Sequence, residues 1–128
     1  MKSEDGAMTV LMSGLIVIVA VLGISVAAIA MLYVARSQAV NAADAAALAA
    51  AVATYPGAGP TAPGAAASAA AKANGAELIS CSCPVDASLG VRTVEVVAGV
   101  RVEVPIFGEV TVRAASRAEF DPMRWLGR

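Results

Sequence analysis

Histidine is missing from this chain of 128 residues, aromatic side chains make up 4% of it, and charged ones 15%. Each shortage excludes something. Without histidine, the usual proton shuttle at neutral pH and the commonest metal ligand are both gone, which argues against acid–base catalysis and against a metal site. Nine Lys+Arg stand against ten Asp+Glu, and no basic cluster is interleaved with aromatics, so nucleic-acid binding has no electrostatic footprint. No nucleophile elbow, phosphate-binding loop or dinucleotide fingerprint occurs, and no period of about 20 to 50 residues marks a repeat array. The carboxylates on the strands, Asp44 and Asp86 read as solvated surface rather than as a catalytic pair. The composition therefore predicts neither an enzyme nor a cofactor.

Apolar residues, mainly alanine and valine, are abundant at 59%. An ordinary soluble domain carries about 25% charged residues, so this is a membrane or fibrous profile. The length allows about one domain. Small apolar side chains bury little area each and build thin, closely approaching interfaces.

From Ala7 to Ala35 the only ionisable side chain is Tyr33. As a helix that run is about 43 Å long, more than the roughly 30 Å of a bilayer core. A secretory signal peptide has a shorter apolar stretch, of about 7 to 15 residues, behind a basic start. Here Lys2 is offset by Glu4 and Asp5, so cleavage at "SQA", ending at Ala39, is the weaker reading. Lys2 at one end and Arg36 at the other leave the orientation undecided by charge.

Beyond Arg36, "SQAVNAADAAALAAAVATY" is dominated by alanine, the best helix former, and has no glycine or proline before Pro56. One helix over about 7–54 is predicted, with its span at 7–35. Ser37, Asn41, Asp44, Leu48, Val52 and Tyr55 lie on one line of it. That line is expected to meet water or headgroups first and to be covered from Leu48 onward. "YPGAGPTAPG", residues 55–64, is a breaker segment and reads as a linker. Residues 65–74 form a short second helix with Gly75 as its left-handed cap. The period then becomes two: Val94, Val96, Ala98, Val100, Val102 and Val104 share a face, with Thr93, Glu95, Arg101 and Glu103 opposite. After a turn at 105–108, Val110, Val112, Ala114 and Ala118 alternate with Glu109, Thr111, Arg113 and Arg117. "AELISCSC" supplies a third strand. The class is α+β, a long N-terminal helix followed by a small head over 65–128.

Three features are candidates for contact. Cys81 and Cys83 would point to one strand face about 6.5 Å apart, so a bridge between them needs a kink. Unreactive thiols, a local or intermolecular disulfide, and a metal or redox site all stay open. Ser13, Ala20, Gly23, Ala27 and Ala30 fall on one helical face, where small residues allow another membrane helix to approach closely. In "FDPMRWLGR", Phe120 and Trp125 either pack on the sheet edge or touch a membrane surface or partner.

"EDGAMTV" before a long apolar run, followed by "NAADAAALAAA", resembles the TadE/TadG-like proteins of Flp (tight adherence) pilus assembly, which are related to type IV pilins. The resemblance implies a cytoplasmic leader, residues 1–6, and a single pass through the plasma membrane with the head outside. It also implies cleavage between Gly6 and Ala7 by a prepilin peptidase. Expected partners are the lipid bilayer and other pilin-like or assembly subunits. Two departures stand out. Counted from Ala7, the fifth position holds Leu11 where prepilins usually carry glutamate, which removes a docking partner for a neighbouring subunit's amine and favours a minor, tip or membrane-retained component. Short relatives often have a cysteine before the second helix, and this chain has none there, so Cys81 and Cys83 pair with each other, pair with another chain or stay free. The rival reading is a membrane-anchored binding or regulatory protein outside any filament.

Overall fold

A computed structural model describes residues 4–127, so the first three residues of the leader lie outside the described residues. Helix α1 runs over Glu4–Ala53 as one element of 50 residues, about 75 Å long. It starts before the expected boundary at Ala7 and stops one residue short of Thr54. Nothing between Glu4 and Ala7 breaks a helix except Gly6, and glycine costs only about 1 kcal/mol against alanine. At the other end the Thr54 amide is shared between the carbonyls of Ala50 and Ala51, and Pro56 stops the ladder.

A 3-10 turn at Pro56–Ala58 precedes α2, Pro63–Ala73. The expected linker reached residue 64, but Pro63 already occupies the first turn of α2. Its missing N–H costs nothing there, and its fixed φ suits the helix. Asn74 and Gly75 end α2, Gly75 at φ +72°. A Cβ on Gly75 would stand 2.3 Å from Nε2 of Gln38, and that amide donates to the carbonyls of Asn74 and Gly75. The turn is thereby tied to the middle of α1.

Strands β1 (Glu77–Ser82), β2 (Arg92–Val104) and β3 (Gly108–Phe120) form one antiparallel sheet in the order β1-β2-β3. The β2–β3 ladder is unbroken from Arg92↔Phe120 to Val104↔Gly108. β1 pairs with β2 through a register shift between Leu78 and Ser80. The alternation read from the sequence holds: Val94, Val96, Ala98, Val100 and Val104 are buried, while Thr93, Arg101 and Glu103 are exposed. A short helix α3, Pro122–Leu126, follows, with the Asp121 carboxylate accepting from the amides of Met123 and Arg124.

The core lies between the sheet and the second half of α1, and its helix side is built of alanine. Ala35, Ala39, Ala42, Ala43, Ala46, Ala47, Ala50 and Ala51 are all buried, repeating at the three- and four-residue spacing of one face. Ala46 and Ala50 meet Val94 and Val96 together with Ala67 and Ala71 of α2. Ala35 to Ala43 meet Ala98, Val100 and Ala114. A row without γ-carbons lets the sheet lie close to the helix backbone. Valines on the sheet then supply most of the burial, at about 1.5–3 kcal/mol per fully buried side chain.

The expectation that the line through Leu48 is covered is overturned. Leu48 is 63% exposed and Val52 39%, because the adjacent alanines carry the interface and a leucine there would hold the sheet away.

Candidate membrane-spanning and subunit-packing surface

The two halves of α1 differ in what surrounds them. From Gly6 to Val34 every described residue is exposed except Ala28, which is half-buried and, seven residues before the buried Ala35, lies on the same helical line. Val10, Leu11, Ile16, Ile18 and Ile29 are 59–72% exposed, so no protein covers this surface. A helix of this length and apolarity can cross a bilayer once. The two serine hydroxyls of this stretch are satisfied on the helix itself: Ser13 Oγ donates to the Val10 carbonyl at 3.0 Å, and Ser25 Oγ to that of Val21 at 2.8 Å.

Ser13, Ala20, Gly23, Ala27 and Ala30 are exposed, and a Cβ added to Gly23 would meet nothing within 4 Å. The chain's own head leaves that face bare. Gly6 and Ala7 are exposed residues inside the first turns of α1. Leu11 lines a shallow apolar groove along the helix with Gly6, Val10, Gly14 and Ile18.

In the head, a disulfide joins Cys81 and Cys83, whose Cα atoms are 5.4 Å apart. A regular strand would hold them about 6.5 Å apart; β1 ends at Ser82, so Cys83 has already left the ladder. Among the described residues, no group of three or more His, Cys, Asp or Glu side chains is placed to hold a metal. The outer face of the sheet carries the ion pairs Arg117–Glu95, at 2.9 Å, and Arg101–Glu77. Glu77 and Glu109 hold the Arg101 pKa above its ordinary value, but exposed pairs contribute little to stability.

One organising residue has no signal in the sequence. Arg92, 7% exposed, donates to the carbonyls of Asp86, Ser88 and Gly90 and, at 3.4 Å, to that of Thr54. These carbonyls, accepting from its five-donor fork, take the place of the carboxylate partner a buried arginine usually has. The Asp86 carboxylate accepts from the amide and the hydroxyl of Ser88, and these bonds hold it below the usual carboxylate range. Nearby, Trp125 packs edge-on against Tyr55 at 6.5 Å and beside Phe120 at 6.3 Å. Of the two readings of the C-terminal tail, packing on the head is the one observed. That cluster sits at the end of α1 remote from the apolar run, away from any membrane the run crosses.

The bare first half and alanine-sealed second half of α1 form one continuous unit. Residues 6–53 match the family model "Putative Flp pilus-assembly TadE/G-like". The segment similar to that family is thus nearly all of α1, from the exposed Gly6 to the last helical residue, Ala53. It includes both the apolar run and the "NAADAAALAAA" seam on which the head is built. The family is described as a pilus-assembly type, and the match covers 48 of the 128 residues. No curated protein and no solved structure matches the chain. The head beyond Ala53 lies outside the family match.

Proposed function

We propose that this chain is a pilin-like structural or assembly component of a Flp/Tad-type pilus or related envelope system, working through contacts rather than chemistry. α1 crosses the plasma membrane once with Met1 on the cytoplasmic side, and the head stands outside. A prepilin peptidase cuts between Gly6 and Ala7, and the Ser13, Ala20, Gly23, Ala27 and Ala30 face packs against the helix of another pilin-like subunit. The Cys81–Cys83 bridge is local and braces the head at the end of β1.

The observation that carries this reading is the asymmetry of a TadE/G-like helix, sealed by its own head from Ala35 onward and bare before it. A bare helix with a line of small residues suits close helix packing in lipid, where there is no hydrophobic drive between helices. Leu11 favours a minor or membrane-retained place over repeated stacking, since it offers no carboxylate to a neighbour's free amine.

Oxidative crosslinking in native membranes tests the packing face, using Gly23→Cys and Ala27→Cys against Ile18→Cys and Leu22→Cys on the other side. Crosslinks confined to the first pair support the reading. Equal crosslinking on both sides reports random collision and removes it. Shearing the cells separates the two places in the system: a chain in the sheared fraction belongs to a filament, and one left in the membrane is a retained assembly component.

A further inference from the structure

The β2–β3 hairpin ends in "VPIFG", residues 104–108, and its tip is apolar and uncovered: Ile106 is 86% exposed and Phe107 78%. The Phe107 amide closes the turn onto the Val104 carbonyl at 3.1 Å. Pro105 and Ile106 are the two central residues, and Ile106 sits at φ 74°. A turn with proline first and positive φ second normally takes glycine or asparagine at that place. A β-branched side chain there is strained. Neither turn geometry nor folding accounts for a large apolar residue held in the one position where glycine would be easier.

The tip's position along α1 follows from contacts at two levels. Arg92, at the start of β2, reaches Thr54 at the end of α1. Arg36 donates at 2.6 Å to the carbonyl of Arg113, which pairs with Gly99 further along β2. The hairpin therefore runs toward the N-terminus of α1, and seven more residues, about 20 Å allowing for strand tilt, carry it past Arg36. That distance is roughly thirteen residues of helix, which puts the tip level with about Gly23 to Ala27. The surface that Val100, Arg101 and Val102 form with Ala30, Met31, Val34 and Ala35 agrees, since it sets β2 just short of the tip beside Ala30 and Met31. A hydrocarbon core of about 30 Å beginning at Ala7 would end near Ala27. The tip and the outer edge of the core thus fall at the same height.

We infer that the hairpin tip, Pro105 to Phe107, is a second membrane contact, dipping into the lipid beside α1 and fixing how deep the head sits. The occupant is lipid because the apolar tip continues the lipid-facing surface of α1 at the same level. Glu103 and Glu109, directly opposite each other just behind the tip and both exposed, limit insertion to those three residues. Arg101 and Arg113 lie further back, on the face turned away from α1.

The inference rests on the reading that α1 spans the bilayer, and the test separates the two. With Trp125→Phe as background, single tryptophans at Val17→Trp, Phe107→Trp and Ala87→Trp are placed in the full chain in phosphatidylcholine vesicles with brominated acyl chains. Ala87 lies in the loop beside Thr54, at the remote end. Quenching by brominated lipid at 17 and 107, with acrylamide quenching at 107 severalfold weaker than at 87, is the expected result. Loss of lipid quenching at 17 overturns the span itself. Lipid quenching at 17 with position 107 as open to acrylamide as position 87 overturns the inference alone. Protection of 107 from acrylamide without lipid quenching also overturns it, in favour of a protein contact.

Discussion

The guanidinium of Arg92 lies over the ring of Tyr55, 5.9 Å from its centre. This contact joins the first residue of β2 to the segment just after α1, and the loop carbonyls of Asp86, Ser88 and Gly90 close around the same guanidinium. The far end of the head is thus organised by one charged side chain satisfied almost wholly by backbone oxygens.

Replacing Arg92 with methionine keeps much of the packing but leaves those carbonyls without their donor. Hydrogen bonds to charged groups contribute about 1.5–3 kcal/mol, and a loss in that range is expected by denaturant unfolding in detergent. Arg92→Lys recovers only part of it, because an ammonium cannot reach several carbonyls in one plane.

The alanine seam predicts opposite outcomes on adjacent faces of α1. Ala46→Leu adds bulk where side chains are fully buried and should destabilise by about 1–3 kcal/mol. Leu48→Ala, on the exposed side, should change stability by no more than about 0.5 kcal/mol. Thermal melts of the two variants in detergent check the pair.

Much of this was legible in the sequence, and the misses have physical causes. The period-two alternation of Val94 to Val104 marks a buried face because Glu95, Arg101 and Glu103 on the opposite face supply polar contrast. The helix at 41–51 is equally plain, but alanine on nearly every side gives no contrast between faces, so Leu48 reads as core when it is not. Arg92 is a lone charge at a strand start, and its partner Thr54 is 38 residues away, beyond any local pattern. Pro63 reads as linker from its neighbours and becomes helical only through its place in the first turn of α2. At Cys81 and Cys83 the residue spacing gives the separation of a regular strand, and it is the departure of the chain after Ser82 that shortens it.

The Cys81–Cys83 bridge closes a very short loop, so its contribution is small: about 1–2 kcal/mol in the chain-entropy estimate. Mass spectrometry of unreduced peptides should find the two cysteines linked to each other and no thiol open to alkylation. Non-reducing gels should show no disulfide-linked dimer. Substitution of both by serine should leave the chain folded.

Asp86 gives the loop after β1 a pH-dependent contact. Its folded pKa lies below its unfolded value because Ser88 bonds to the charged form. The stabilisation is therefore present above the unfolded pKa, about 4, and is lost as pH falls through the lower folded pKa. The Asp86 carboxyl signal in NMR should titrate below the usual aspartate range, and Ser88→Ala should move its midpoint upward.

The N-terminal residue of the chain purified from its native membranes tests the central claim most directly. An anchored, processed pilus-assembly component begins at Ala7, with the apolar half of α1 intact. A chain that keeps Met1 contradicts processing between Gly6 and Ala7, and one that begins at Val40 contradicts the membrane anchor itself.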